Sequence, residues 1–324
     1  MRGWFDLNPT LLTAVAGIFG LLVVGSVALW LVKRARPEKD LTELVQRTKS
    51  WWVMAAIFTV AVLVDRVAGL VFLGAVSFLA LKEYLSIIPT RRADRRVLFF
   101  LYLAIPIQYY WVGTGWYGMF IIFVPVYMLL FLPLPMLVIG QTQGFLRAVG
   151  TLHWGLMVTV FSLSHAAYTL MLPFSTVARG GWAEAHVGPA LMLYLVVLTQ
   201  LNDVAQWMWG KMLGRHKIIP AVSPNKTWEG FLGGVVTTTA LSAALGPLLT
   251  PIDAGGAAIL GALLGVAGFV GDITVSALKR DLGLKDTSQF LPGHGGVLDR
   301  VDSLTYTAPI FLHYVRYFYY PLPG

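Results

Sequence analysis

Long apolar runs separated by short polar segments repeat along the chain from residue 11 almost to its end. About 20 apolar residues are needed for a helix to cross a bilayer. The pattern therefore predicts an all-α fold, a polytopic transmembrane helical bundle of about nine to ten passes with short cytoplasmic helices and loops. The predicted passes are 11–32, 51–64, 67–81, 97–112, 117–138, 151–173, 189–209, 231–250, 257–273 and 305–320.

The apolar stretch 51–81 is interrupted by Asp65 and Arg66, so it is either a tight helical hairpin or one long tilted pass. The loops on its two sides, 33–50 and 82–96, are rich in Lys and Arg. Basic loops are retained in the cytoplasm, and an even number of crossings must therefore separate these two. The hairpin is predicted, with both chain termini outside. In this topology, four basic residues do not lie on the cytoplasmic side: Arg2, Arg66, Arg179 and Arg316.

The predicted bundle divides into three regions. Residues 1–50 form an N-terminal transmembrane helix and basic linker, residues 51–175 form the N-terminal membrane helices, and residues 176–324 form a membrane region rich in polar residues. Proline removes a helical hydrogen bond and bends a helix, so the fifth pass is predicted to be bent or partly irregular. Its prolines are Pro125, Pro133 and Pro135.

Composition supports a membrane protein. Of the 324 residues, 57% are hydrophobic and 12% charged, with a mean hydropathy of +0.71, whereas soluble domains carry about 25% charged residues. The net charge of +8 would suggest nucleic acid in a soluble protein, but here it fits basic cytoplasmic loops facing membrane lipid, so no nucleic-acid partner is predicted. The absence of cysteine excludes thiolate metal sites. Walker, Rossmann and Gly-x-Ser-x-Gly motifs and zinc-spaced histidines are also missing.

The seventh predicted pass carries a polar face near its cytoplasmic end. Thr199, Asp203 and Gln206 are spaced by four and three residues, so they share one face of a helix, and Asn202 is next to them. A buried structural hydrogen bond is one interpretation. An intramembrane carboxylate is costly, however, and normally faces a partner, a cavity or a cation, which favours a functional role for Asp203.

The segment 223–230, Ser-Pro-Asn-Lys-Thr-Trp-Glu-Gly, precedes the eighth pass. Pro224 opens a turn, and Thr227 is placed to cap the helix that follows. Free amides at a helix start, together with Lys226, make an anion site. A capped helix with a basic membrane anchor explains the segment equally well.

Asp272, Ser276 and Lys279 step by four and three residues and form one polar stripe on a helix, followed by Arg280. A carboxylate and cations on one face suit a metal–phosphate assembly, because the acid holds the metal and the bases hold phosphate oxygens. Solvated charges at the end of a membrane helix would explain Lys279 and Arg280, but they explain Asp272 less well.

A glycine-rich segment, 291–303, follows Lys285 and Asp286. Its glycines let the backbone approach a ligand closely, and successive amides can form an anion-binding nest. Asp299 and Asp302 are three residues apart, and with Asp272 they offer three oxygen donors for a hard divalent cation. A lone histidine such as His294 or a lone Asp-x-x-Asp would indicate an ordinary turn, but the combination favours a functional site.

These residues together resemble the signature of phosphatidate cytidylyltransferases, also called CDP-diacylglycerol synthases. The matching positions are Ser276-x-x-Lys279-Arg280, Lys285-Asp286 and Leu291-Pro292-Gly293-His294-Gly295-Gly296-x-x-Asp299-Arg300-x-Asp302-Ser303. The segment 223–230 and Asn202-Asp203 also resemble blocks of that family. The dense resemblance covers about residues 200–305, within the region 176–324, which it identifies as catalytic.

The resemblance implies a metal-dependent enzyme of phospholipid biosynthesis that joins CTP and phosphatidate to give CDP-diacylglycerol and pyrophosphate. It implies Mg²⁺, with a second cation such as K⁺ left open, and a homodimer in the bacterial inner membrane with its active site facing the cytoplasm. The implied metal ligands are Asp272, Asp299 and Asp302, which act in catalysis with Lys279 and Arg280. The implied substrate-binding residues are Asn202, Asp203, Ser223, Lys226, Thr227, Ser276, Lys285, Asp286, His294, Gly295, Gly296 and Arg300.

Other functions stay open from the residues alone. The enzyme could act on another lipid phosphate, since these residues do not specify a headgroup. An ion-coupled membrane transporter would use Asp203 and Asp272 as intramembrane ion sites, although the polar residues cluster at one membrane face rather than at its midplane. A non-catalytic membrane scaffold that retained the motif would fail to bind CTP with Mg²⁺.

Overall fold

A computed structural model of the protein describes residues 9–35, 38, 40–91, 94–172, 187–291 and 295–319, and this part of the chain is helical with no strand. Two isolated bridges join Lys217 to Thr227 and Leu291 to Gly295. The helices are α1 (Pro9–Ala35), α2 (Thr42–Val64), α3 (Arg66–Ile87), α4 (Arg95–Thr114), α5 (Tyr117–Ile139), α6 (Phe145–Met171), α7 (Val187–Leu213), α8 (Trp228–Leu249), α9 (Ala254–Asp281), α10 (Leu298–Val301) and α11 (Leu304–Tyr319).

The predicted all-α membrane bundle is confirmed, and the chain is an integral membrane protein. Eight helices in the described ranges are long and apolar enough to cross a membrane. The other two predicted passes correspond to α2, whose first turns are polar, and α11, which has 16 residues. The predicted pass 257–273 lies within α9, which continues to Asp281 as one helix, as the predicted polar stripe of Asp272, Ser276 and Lys279 requires. Asp272 and Lys279 therefore lie on one uninterrupted helix.

The predicted break between the second and third passes is confirmed. Asp65 has an extended backbone, with φ −160° and ψ 148°, and it separates α2 from α3. Its carboxylate accepts the N–H groups of Val67 (3.0 Å) and Ala68 (3.3 Å) and so caps α3. Because α2 and α3 are separate helices in contact with each other, the single long pass is excluded.

The predicted irregularity of the fifth pass is also confirmed. Residues Phe123–Met128 of α5, which include Pro125, form a π-helical turn, and a new helical segment begins at Pro133. Proline lacks the N–H that a regular helix needs at these positions.

The site residues are carried by α7, α8, α9 and the segment that leads into α11. Asn202 of α7 joins three of these helices, because its Oδ1 accepts from Thr238 Oγ1 of α8 (3.1 Å) and its Nδ2 donates to the Gly265 carbonyl of α9 (3.3 Å). Close packing of α7 and α8 requires a glycine at 234, where a Cβ atom would lie 2.3 Å from Cγ of Gln206. These contacts fix the spacing of the helices beside Asp203.

Candidate active site

Two neighbouring cavities lie at the predicted cytoplasmic ends of these helices. Their volumes are about 860 and about 500 Å³. Asp203 and Trp207 of α7 line both cavities and mark the boundary between them. The predicted site residues that line the larger cavity are Lys285, Asp286, Gly295, Asp299, Arg300 and Asp302, and those that line the smaller one are Ser223, Lys226, Thr227 and Asp272.

Three carboxylates, Asp203, Asp272 and Asp302, form an acidic cluster between the cavities. Asp203 accepts a hydrogen bond from Ser303 Oγ (3.0 Å), and Asp302 Oδ1 accepts from the Ser303 N–H (2.7 Å). Burial raises the pKa of Asp302 well above its ordinary value, and the negative charges of Asp272 and Asp203 raise this pKa further. The three carboxylates therefore repel one another when ionised, and a cation bound among them would relieve this repulsion.

One ammonium group contacts the acidic cluster. Lys226 Nζ lies 2.5 Å from Asp272 Oδ2 and 3.2 Å from Gln206 Oε1. Lys226 reaches this position because the next residue, Thr227, begins α8 as its predicted cap and accepts the N–H of Gly230 (3.2 Å). The loop before α8 thus brings a cation to the cluster, as an anion-binding segment would.

Asp299 has a different environment, although it is only three residues from Asp302. Its Oδ1 accepts from Lys279 Nζ (2.7 Å), and its Oδ2 accepts from Thr287 N (2.8 Å), Thr287 Oγ1 (2.9 Å) and Gly296 N (3.0 Å). Burial raises the pKa of Asp299, but the Lys279 ammonium and these N–H donors outweigh burial and lower the pKa below its ordinary value. Both carboxylate oxygens are engaged in holding the glycine-rich segment.

Glu83 of α3 holds the same segment, and sequence reasoning did not identify it. This buried carboxylate accepts from Ser288 Oγ (2.8 Å), Val297 N (2.9 Å) and Leu298 N (2.9 Å). In the sequence, Glu83 lies in the basic segment 82–96, where no local spacing connects it with the site motifs. We refer to Glu83 and Asp299 as the loop carboxylates.

Two buried donors beside the cavities have no hydrogen-bond partner in the described part of the chain. They are Nε2 of Gln206, on the wall of the smaller cavity, and Nε of Arg300, on the wall of the larger one. An unsatisfied buried N–H is unfavourable, so both positions fit a ligand that supplies acceptor oxygens. Gln206 shares the helix face of Asp203, which was the available signal, but it was not among the predicted site residues.

The remaining predicted residues differ in their placement. Ser276 Oγ donates to Asp272 Oδ1 (3.3 Å) and so supports the acidic cluster. Asn202 is fully buried, lines neither cavity and connects helices. Arg280 also lines neither cavity, and it donates to the carbonyls of Val222 (3.2 Å) and Leu284 (2.8 Å).

The glycine-rich segment is described only in part. His294 lies outside the described residues. Gly295 has φ 78°, in the left-handed region that favours glycine, and it lines the larger cavity. Gly296 donates its N–H to Asp299 and is buried against Thr287 and Glu83. The two glycines are thus needed for the backbone turn and for close packing.

The acidic cluster fits Mg²⁺ as a partial site. In the described ranges, no three His, Asp or Glu side chains already converge on one metal position. Mg²⁺ is commonly bound through one or two carboxylates completed by substrate phosphates and water rather than by a protein cage. Asp272 and Asp302, with Asp203 beside them, offer such a set. The metal role of Asp299 stays a prediction, because its oxygens are bonded to Lys279 and the loop.

Known proteins resemble this chain over most of its length. The profile of the cytidylyltransferase family matches residues 45–318. "Uncharacterized protein YnbB" of Escherichia coli (strain K12) is 40% identical over 304 residues, which are 94% of this chain and 98% of that protein.

Relatives with a named activity match a shorter part of the chain. A phosphatidate cytidylyltransferase of Haemophilus influenzae is 39% identical over 142 residues, 42% of this chain and 48% of that enzyme. One of Staphylococcus aureus (strain COL) is 35% identical over 158 residues, 46% of this chain and 59% of that enzyme. The chain therefore spans about half the length of these named enzymes. The match of the family profile covers most of the chain, and we conclude that this protein belongs to the cytidylyltransferase family.

Proposed function

We propose that this protein transfers the cytidylyl group of CTP to phosphatidate, giving CDP-diacylglycerol and pyrophosphate, at the cytoplasmic face of a bacterial inner membrane. The observation that supports this most is the place of the acidic cluster between two cavities, each of which has cationic side chains and a buried unpartnered donor on its wall. Two phosphate-bearing substrates could thereby approach one cation-binding position from two sides. The relatives named phosphatidate cytidylyltransferase support the choice of substrates.

In the proposed reaction, a phosphate oxygen of the lipid attacks the α-phosphorus of CTP. A new P–O bond forms while the bond to the bridging oxygen of the β-phosphate breaks, and pyrophosphate leaves. This transfer depends on positioning and charge neutralisation rather than on a covalent enzyme intermediate. Mg²⁺ bound at the cluster would neutralise and polarise phosphate oxygens.

The larger cavity is the proposed CTP site. Its volume of about 860 Å³ lies within the range of about 300–1,000 Å³ that is usual for small-molecule sites. The glycine-rich segment forms part of its wall, and Lys285 and Arg300 supply positive charge to the triphosphate. Asp302 faces this cavity and Asp272 the smaller one, so the pair can hold an ion where both substrates meet.

The smaller cavity is the proposed site of the lipid phosphate. Lys226 and the unpartnered Gln206 Nε2 are on its wall, together with Lys211 and Lys217. Lys226 now contacts Asp272, and a divalent ion on Asp272 would free the ammonium to bind a phosphate oxygen. Arg280 and Lys279 act indirectly in this proposal, through the loops that they hold.

The test is an assay of purified protein in detergent with radiolabelled CTP and a panel of lipid phosphates, with and without Mg²⁺. Labelled CDP-diacylglycerol should form with phosphatidate only when Mg²⁺ is present. Absence of any labelled lipid with the whole panel would contradict the proposal. Proteoliposome flux of an ion without any CTP dependence would instead support a transporter.

A cytidylyltransferase for another lipid phosphate is the second candidate. The observation that favours it is the limited coverage of the named enzymes, which align with less than half of this chain. The same panel distinguishes the two, because a different lipid phosphate would then be used in preference to phosphatidate at equal Mg²⁺.

A further inference from the structure

We propose that Glu83 is a positioning residue of the nucleotide site, which acts by fixing the glycine-rich segment from behind. This inference rests on the proposed use of the larger cavity for CTP. Glu83 itself is on α3 and lines neither cavity. Its effect on the reaction would therefore be indirect, through the backbone that it holds.

The carboxylate of Glu83 accepts from two neutral donors at each oxygen. Oε1 accepts from Ser288 Oγ (2.8 Å) and Val297 N (2.9 Å), and Oε2 accepts from Thr287 Oγ1 (3.1 Å) and Leu298 N (2.9 Å). Glu83 is only 8% exposed, so water does not replace these bonds. The side chain thus joins two stretches, 287–288 and 297–298, on either side of the glycines.

The two loop carboxylates act on the segment together. Thr287 Oγ1 lies between Glu83 Oε2 and Asp299 Oδ2, at 3.1 and 2.9 Å, and its one hydroxyl hydrogen is shared between these two acceptors. Gly296 packs into the same place, since a Cβ atom there would lie 2.2 Å from Thr287 Oγ1 and 2.3 Å from Glu83 Oε2. Asp299 is bonded in turn to Lys279. A change at Glu83 would therefore be transmitted to Gly296 and Asp299.

The opposite side of this segment faces the larger cavity. Gly295, Asp299 and Arg300 are on the wall of this cavity. Gly295 precedes Gly296, whose N–H bonds to Asp299, and Asp299 follows Leu298, whose N–H bonds to Glu83. Fixed backbone groups bind a charged ligand better than mobile ones, because they lose little conformational freedom on binding. Glu83 is thus placed to set the affinity for the nucleotide without touching it.

The Glu83→Gln variant tests this role. Glutamine keeps the shape of the side chain, but its NH₂ group would replace one carboxylate oxygen and face the two donors of that oxygen. In either orientation of the amide, one of these two donors is a backbone N–H, which cannot reorient. We expect the KM for CTP to rise about tenfold or more, with a smaller change in kcat and none in the KM for the lipid. Lys82→Gln, at the exposed neighbouring position of α3, is the matched control and should behave as wild type.

Hydrogen exchange gives a second measurement that does not depend on activity. The amides of Val297 and Leu298 should exchange faster in Glu83→Gln than in wild type or Lys82→Gln. If wild type transfers no cytidylyl group, the proposed function fails while this measurement still reports whether Glu83 holds the loop. Faster exchange with an unchanged KM for CTP would overturn the positioning role.

A second variant addresses loss of folding. Thr287→Val combined with Ser288→Ala removes the two hydroxyl donors of Glu83 and the hydroxyl contact of Asp299, but leaves the charge and both backbone bonds of Glu83. It should fold and raise the KM for CTP by a smaller factor than Glu83→Gln. If both variants only lower the yield of folded protein, and the folded fraction has the wild-type KM, then Glu83 is structural and the inference is wrong.

Discussion

The protein has two neighbouring groups of carboxylates, and they differ in burial and in how their charge is compensated. Glu83, Asp299 and Asp302 are buried, whereas Asp203 and Asp272 are partly exposed. The loop carboxylates, Glu83 and Asp299, accept hydrogen bonds at every oxygen. In the acidic cluster of Asp203, Asp272 and Asp302, the ion pair among the described residues joins Lys226 to Asp272. The pKa of Asp299 is lowered by its donors, whereas burial and neighbouring charge raise that of Asp302.

This difference distinguishes carboxylates that hold the loop from carboxylates that are available to bind a cation. A carboxylate whose oxygens are all bonded within the protein is already stabilised, and a ligand would have to replace those bonds. A cluster of insufficiently neutralised carboxylates gains most from a cation. Under the proposed function, this difference favours the acidic cluster for metal binding and the other pair for loop positioning, while the metal role of Asp299 stays a prediction.

Removal of divalent metal should have the largest effect. Chelation is expected to abolish cytidylyl transfer, and Mg²⁺ should restore it. Mg²⁺ should also raise the thermal midpoint of unfolding, because an ion bound at a hundredfold excess over its Kd stabilises the folded state by about 2.7 kcal/mol. This shift should disappear in Asp302→Asn and persist in Asp299→Asn, measured by thermal denaturation in detergent. Loss of the shift in Asp299→Asn alone would reverse the assignment.

Asp302→Asn should lower kcat by roughly a thousandfold or more, since metal-based charge stabilisation is worth several kcal/mol. Its stability without metal should be unchanged or higher, because one of three neighbouring carboxylates that repel one another is removed. Asp281→Asn, at the exposed end of the same helix as Asp272, is the control. If Asp302→Asn kept the wild-type rate, the acidic cluster would have no part in the mechanism.

Asp299→Asn should act mainly on stability. It leaves the buried Lys279 ammonium without its carboxylate, and breaking a buried pair in this way costs about 3 kcal/mol or more. Thermal denaturation should show the loss, and the double variant Lys279→Met, Asp299→Asn should recover part of it. An equally stable Asp299→Asn protein with no turnover would show that Asp299 serves the reaction directly.

The membrane fold could be predicted from the sequence because one physical constraint determines it. Each pass needs an apolar run of sufficient length, and the breaks at Asp65 and Pro125 follow from local chemistry. The ends of helices were less predictable, as the start of α2 at Thr42, within the predicted loop 33–50, shows. Lys226 and Thr227 were placed correctly at the start of α8 because a cap has a local signature.

The roles of individual acids could not be predicted in the same way. Spacing suggested that Asp299 and Asp302 face one ion, but α10 ends at Val301 and the two side chains have different partners. Glu83 bonds to Thr287 across a sequence separation of 204 residues, which no local pattern reports. Asn202 was among the predicted substrate-binding residues, yet it lines neither cavity and connects helices. Motif spacing identifies which residues meet but does not show which of them remain available to a ligand.

Gln206→Leu should give the smallest effect, and it tests which of the two substrates binds in the smaller cavity. The amide Nε2 has no partner in the described structure, and Oε1 accepts from Lys226, which keeps its contact with Asp272 in the variant. The change should therefore cost little stability, while the KM for the lipid phosphate should rise about tenfold because a hydrogen bond to a charged ligand is lost. The KM for CTP should not change.

Gln108→Leu is the matched control for Gln206→Leu, since Gln108 is also buried with one unpartnered atom but donates to Phe120 O (3.1 Å) and Ser164 Oγ (3.0 Å) in the N-terminal helices. It should lower stability and leave both KM values unchanged. A rise in the KM for CTP rather than for the lipid in Gln206→Leu would exchange the substrates between the cavities. The acidic cluster would then stay at the centre of the site, because Asp203 belongs to both walls.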